Sequence, residues 1–157
     1  MMGIDHSAEL LRIAADAAGG ARSDAELMEG LAETVPSDDA NIDNVAVSWS
    51  LCSLTGPREV LGEVRRVLKP NGRLLFGEHG FAPRQSVRRW QERQTSTWRR
   101  CAGSCHPDHP VASLIGDYGF SIERLGTGYA RSPKPMAFIN EGVARPDRCC
   151  SNGTRHA

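Results

Sequence analysis

Side chains capable of chemistry gather in a few short stretches of this chain. Glu78 and His79 close an otherwise apolar run, RLLFGEH, that follows the turn-like KPNG. Ligands of open α/β sheets bind outside the carboxyl ends of the strands, so a carboxylate and an imidazole ending a strand suit acid–base work. An imidazole can orient an acceptor or take its proton. A second group is Cys101, Cys105, His106 and His109, in the order C-x3-C-H-x2-H. Thiolate and imidazole are good ligands for zinc and other thiophilic metals, so a metal site is one reading. The spacing matches no common zinc module, and the adjacent Cys105 and His106 do not readily aim at one ion. A substrate-side loop without a metal is the preferred reading. The third group is cationic. Arg84, Arg88, Arg89, Arg93, Arg99 and Arg100 surround a helical face of Val87, Trp90, Gln94, Trp98 and Cys101. Such a helix suits an acidic substrate, a phosphate or RNA. Its tryptophans fit better as a cover over a substrate pocket, with the arginines solvated.

The elements that must position these groups follow from pattern. Met2 to Asp5 reads as the end of a strand, and Ser7 as the N-cap of a helix with Glu9 in its first turn. Leu10, Leu11, Ile13, Ala14 and Ala17 form the helix's apolar stripe, which Gly19-Gly20 stops. Ala25 to Leu31 is a short strand, Pro36 to Asp39 a loop, and the alternating, β-branched run Ile42 to Trp49 a further strand. Gly56-Pro57 opens a second helix, since proline suits the first helical turn. Its buried face is Val60, Leu61, Val64, Val67 and Leu68. Lys69 to Gly72 is expected to end that helix in a turn permitting positive φ, and Arg73 to Gly77 to form a buried strand. Val111 to Tyr118 is another helix. Phe120 to Leu125 and a strand beginning at Met136 to Ile139 pair through a Gly/Pro-rich connection. Helix, turn and β-rich run in repetition mean βαβ units and a parallel sheet.

Composition sets the outer bounds. The 157 residues make one domain with one core. Lys+Arg 19 balances Asp+Glu 19, which gives no strong field toward nucleic acid or an anionic membrane, so neither is expected as a partner. No apolar run is long enough to span a bilayer, and the N-terminus lacks the pattern of a signal peptide. The five cysteines are odd in number and irregularly spaced, which favours reduced thiols and a cytoplasmic location.

The order of motifs resembles one family. GIDHSAELLRIA, GLAETVP, an acidic loop before IDNVAVSWSLCS, EVRRVLKPNGRLLFGEH, and GF before a final hairpin are similar to class I S-adenosylmethionine-dependent methyltransferases. The nearest type is the UbiE-like, methyltransferase-11-domain one. Trp90, Trp98 and Cys105, in W-x7-W-x6-C, and GYARSPKP strengthen the likeness, which covers roughly Gly3 to Pro146. It implies a Rossmann-like α/β sheet, mostly parallel with a C-terminal antiparallel hairpin, with S-adenosylmethionine as cofactor and a small-molecule methyl acceptor.

The resemblance also assigns roles. Asp5, ending a strand, would accept hydrogen bonds from the ribose hydroxyls, although it also suits capping the next helix. His6 and the pair Leu31-Ala32 would line the adenine side. Ser48 and Trp49 would lie where cofactor and acceptor meet, with Glu78 and His79 as the catalytic pair. The family's glycine-rich G-x-G-x-G loop has no counterpart here. The expectation is therefore a partial domain over residues 1–146, missing the first strand and that loop, with a disordered tail over 147–157. Impaired cofactor binding, and self-association through the uncovered sheet edge, follow from it. The rival readings are a non-catalytic, partner-dependent remnant and a Cys/His metal module.

Overall fold

The structure is a computed structural model. It describes all residues except 22, 52–55, 81, 92, 94–110, 130–137 and 148–157. The expected strands and helices form in the expected order. β1 (Met2–Asp5) leads into α1 (Ala8–Gly20), β2 (Glu26–Glu29), β3 (Ile42–Ser48), α2 (Pro57–Val67) and β4 (Leu68–His79). A helix α3 begins at residue 85 and is described over residues 85–91 and 93, before α4 (Val111–Asp117), β5 (Phe120–Tyr129) and β6 (Phe138–Pro146).

Pairing divides the strands into two sheets. β1 and β2 run parallel, and the second sheet has the order β3-β4-β6-β5. β3 and β4 are parallel, whereas β6 is antiparallel to both β4 and β5. Among the described residues no strand pairs with the free edge of β3. The parallel sheet with a terminal antiparallel hairpin is as expected, but β5 reaches Tyr129, so the hairpin's strands are longer than their apolar alternation indicated.

Two local expectations need correction. Lys69 to Gly72 forms no positive-φ turn: Leu68, the C-cap of α2, is already extended, and β4 runs on from it. The register instead jumps from Ile42 opposite Leu68 to Asn44 opposite Arg73, so the segment is looped out beside β3. Gly72 is required there for space, because a Cβ would come within 3.0 Å of Leu68 Cδ2, Lys69 O and Asp43 O. Positive φ falls instead on Ala40, Trp49 and Gly119. The pair Gly19-Gly20 lies within α1, whose C-cap is Ala21.

The core occupies one face of the four-stranded sheet. Val60, Leu61, Val64 and Val67 of α2 are buried, as are Val111 and Ile115 of α4. The first three and the α4 pair pack with Leu51, Leu68, Leu74, Phe76, Phe120 and Ala144 in one cluster. Each fully buried Val, Leu or Phe is worth about 1.5–3 kcal/mol relative to exposure. The opposite face is open. Leu75, whose side chain alternates with Leu74 and Phe76, is 41% exposed. A trough of about 610 Å³ lies against Ala46, Ser48, Leu75, Gly77 and Val143. Helix α1 has no buried residue at all.

Candidate functional site

The site residues expected from sequence fall at the carboxyl ends of the parallel strands. Asp5 ends β1, and its Oδ1 accepts the Ser7 amide at 2.8 Å, which turns the chain into α1. Ser7 in turn caps that helix by accepting from Leu10 N at 3.3 Å. Asp5 Oδ2 accepts no hydrogen bond among the described residues, and the side chain is 38% exposed. His6 Nδ1 lies 3.7 Å from Asp5 Oδ1, with its ring in solvent. Past β2, Gly30 N donates to Asp5 O at 3.1 Å, which ties the two strand ends together. Leu31 is exposed, while Ala32 packs on the core cluster.

A clamp that the sequence reading missed holds the next loop. Glu63 Oε1 accepts the Val35 amide at 2.8 Å and receives Arg66 Nη2 at 2.7 Å. Arg66 also donates to Val35 O, Ser37 O and Asp39 Oδ1, so one guanidinium gathers residues 35–39 onto α2. Its hydrogen bond holds the Glu63 carboxyl below the usual range; burial opposes this, and the Val35 amide assists. The bonds to Glu63 and Asp39 raise the Arg66 pKa beyond its ordinary value. The available signal was the i, i+3 spacing of Glu63 and Arg66 on a helix.

At the other parallel pair the structure separates two residues that the sequence reading joined. Strand alternation sends Leu74, Phe76 and Glu78 to the core face, and His79 to the opposite side. Glu78 is completely buried. Its Oε1 accepts the Ser50 amide at 3.0 Å and the Leu51 amide at 3.2 Å, so this carboxylate fastens the turn that leaves β3. His79 instead meets Trp49, with ring centroids 6.0 Å apart and planes 17° from parallel. Trp49 lies just past β3 at φ +51°, and its amide donates to Gly77 O at 2.9 Å. Its indole is 60% exposed. Ser48 lines the end of the open-face trough beside Gly77.

On the stretch after β4, Gln91 of α3 receives the Ala82 amide at 3.0 Å and donates to Gly80 O at 3.2 Å. Trp90 of the same helix is 41% exposed. Trp98, Cys101, Cys105, His106 and His109 lie outside the described residues. Among the described residues no group of three or more His, Cys, Asp and Glu is arranged to hold a metal.

Parallel β1–β2 and β3–β4 pairs, an antiparallel hairpin and polar residues at the strands' carboxyl ends match the open α/β folds that bind nucleotide cofactors at that edge. Comparison with known proteins gives the family. Residues 1–76 match the model of a methyltransferase domain. A thiol S-methyltransferase of Homo sapiens is 43% identical over 105 residues, covering 66% of this chain and 41% of that protein. A ubiquinone/menaquinone biosynthesis C-methyltransferase of Rubrivivax gelatinosus is 31% identical over 147 residues, 92% of this chain and 47% of that one. A SAM-dependent methyltransferase structure from Methanosarcina mazei superposes with a TM-score of 0.72 at 20% identity, over 93% of this chain and 81% of the other, which shows the shared fold. Together these similarities support a class I S-adenosylmethionine-dependent methyltransferase, and S-adenosylmethionine is the cofactor that such a domain implies. It spans less than half the length of either curated relative.

The donor set can be tested against that cofactor. A ribose diol needs an acceptor with a free lone pair, which Asp5 Oδ2 offers at a strand end. An adenine ring needs apolar surface, which exposed Leu31 offers. These residues fit the nucleoside portion.

Proposed function

We propose that this stretch serves methyl transfer from S-adenosylmethionine to a small-molecule acceptor, and that a thiol is the acceptor to test first. One observation carries the reading: all four parallel strands end in residues suited to the task, Asp5 on β1, Leu31 and Ala32 past β2, Ser48 and Trp49 at β3, and His79 on β4. The 43% identity to a thiol S-methyltransferase favours sulfur as the acceptor atom. When bound, S-adenosylmethionine supplies an electrophilic methyl group on a sulfonium.

The chain's own residues divide the remaining work. Asp5 holds the ribose hydroxyls, and Ala32 with Leu31 borders the adenine, beside His6. Ser48 and Trp49 bound the gap between donor and acceptor. His79 accepts the thiol proton, which matters because an ordinary thiol near pKa 8.5 is mostly protonated at neutral pH. Most of the acceleration comes from alignment, since in-line transfer from a sulfonium is chiefly a problem of positioning. The sequence offers no G-x-G-x-G to approach the methionine portion, so we infer that this stretch by itself binds the cofactor more weakly than micromolar.

The reading is tested with radiolabelled methyl donor and a panel of small thiols, with quinones as the competing class. Label moving to thiols, and lost in Asp5→Ala and His79→Ala, supports it. Absence of cofactor binding in a calorimetric titration at millimolar donor would leave this chain a non-catalytic, partner-dependent member of its family. A cytoplasmic setting belongs to the same proposal; no described helix is long and apolar enough to cross a membrane. Self-association belongs to it too, favoured by the free edge of β3 and by exposed Leu10, Ile13 and Leu75. Sedimentation equilibrium showing one monomeric species at all concentrations would remove that part.

A further inference from the structure

We infer that Glu78 is a positioning residue: through the Ser50 and Leu51 amides it holds the turn that stands the Trp49 indole beside the His79 ring, and this pair forms a shelf that orients the acceptor. The inference rests on the proposed methyl transfer for the acceptor's identity, but the shelf itself stands on geometry.

Three observations converge on it. Trp49 sits at φ +51°, in the left-handed region where a side chain crowds its own backbone and only glycine is at ease. Bulky residues persist there only where their surroundings enforce it, and such strain concentrates at working sites. The enforcement is visible on both sides of the residue. Before it, the Trp49 amide is bonded to Gly77 O at 2.9 Å. After it, the Ser50 and Leu51 amides converge on one oxygen of Glu78, while the Leu51 side chain is sunk in the core. A carboxylate with no exposed surface is costly unless its lone pairs are satisfied, and the two turn amides satisfy those of its Oε1. The result is a large indole kept in solvent, 60% exposed, and stacked at 6.0 Å on the imidazole that ends the next strand. Burying that indole would be favourable, so holding it outward makes sense as a surface awaiting a ligand. The exposed indole, with the imidazole stacked beside it, presents a flat aromatic surface, which suits an acceptor with a planar or apolar body next to its nucleophilic atom.

Glu78→Leu removes the acceptor oxygen at similar bulk, while Glu78→Gln keeps an oxygen able to take both amides. In the full chain, nuclear Overhauser contacts between the Trp49 indole and His79 ring protons are expected in the wild type and in Glu78→Gln, and lost in Glu78→Leu. The acceptor KM in Glu78→Leu is expected to rise about tenfold with kcat changed less than about threefold, the pattern of lost positioning. Trp49→Gly, which relieves the backbone and deletes the shelf, should raise KM similarly, and it decides the matter if Glu78→Leu does not fold. Persistence of the ring contacts in Glu78→Leu, or a Glu78→Gln variant as impaired as Glu78→Leu, would overturn the inference. An unchanged KM in Trp49→Gly would do the same. If the wild type transfers no methyl group, the proposed function fails, and the ring contacts alone still decide whether Glu78 holds the shelf.

Discussion

The portion from Leu51 onward contains every fully buried residue among those described, whereas no described residue before it is fully buried. The two regions use the same strand–helix–strand logic. In the later one, α2 lays Val60, Leu61 and Val64 against Leu74 and Phe76, and α4 and β5 close over them. In the earlier one, α1 leaves Leu10 and Ile13 more than half exposed. The difference bears on function, because the candidate site draws from both. Trp49 and His79 rest on the packed region and are held by buried groups. Asp5 and Leu31 rest on the open region, anchored by the β1–β2 ladder, by Ala32 on the core and by the Glu63–Arg66 clamp. Regions with few buried apolar contacts open at lower free-energy cost, so the end that carries Trp49 and His79 is the more firmly held and the end that carries Asp5 and Leu31 the looser one.

Several substitutions would break or sharpen that contrast. Leu61→Ala leaves a cavity in the packed region and is expected to cost about 2–5 kcal/mol in denaturant unfolding. Trp49→Gly exchanges a left-handed tryptophan for a residue without that penalty. The relief, offset by glycine's chain entropy, is expected to raise stability by up to about 1 kcal/mol. Acid tests the seam between the regions. Because the Glu63 carboxyl is held below its ordinary value when folded, its contribution is complete above that value and lost as pH falls through the lowered one. Below about pH 4.3 the amides of residues 35–41 should therefore lose exchange protection before those of α2, and Glu63→Gln should abolish this pH dependence. Ile13→Ala is the smallest, within about 0.5 kcal/mol, because the side chain is already in solvent. A cost of several kcal/mol for Ile13→Ala would mean that the open region is covered in solution, and would erase the contrast.

Much of the architecture was legible because it rests on local pattern. Ser7 as N-cap, the strand at Met2–Asp5 and the α2 face of Val60, Leu61, Val64 and Val67 all follow from side-chain type and period. The Lys69–Gly72 segment was misread because turn chemistry and a looped-out bulge use the same residues. Only the register with β3, and the crowding around Gly72, distinguish them. The parity of Leu74, Phe76 and Glu78 was in the sequence, and could have shown that Glu78 and His79 face opposite ways. Their shared polarity at a strand end does not by itself tell the two apart.

The sequence by itself determined the family, the order of elements and the placement of Asp5, Trp49 and His79 at strand ends, since these depend on short-range pattern and motif. Tertiary structure alone decided what those residues meet. Glu78 finds the amides of Ser50 and Leu51, residues far from it in the chain, because β3 and β4 pair in one particular register. Trp49 takes its strained conformation and its place beside His79 for the same reason. No local preference of tryptophan would put it there, and the hydrogen bonds on either side of it do.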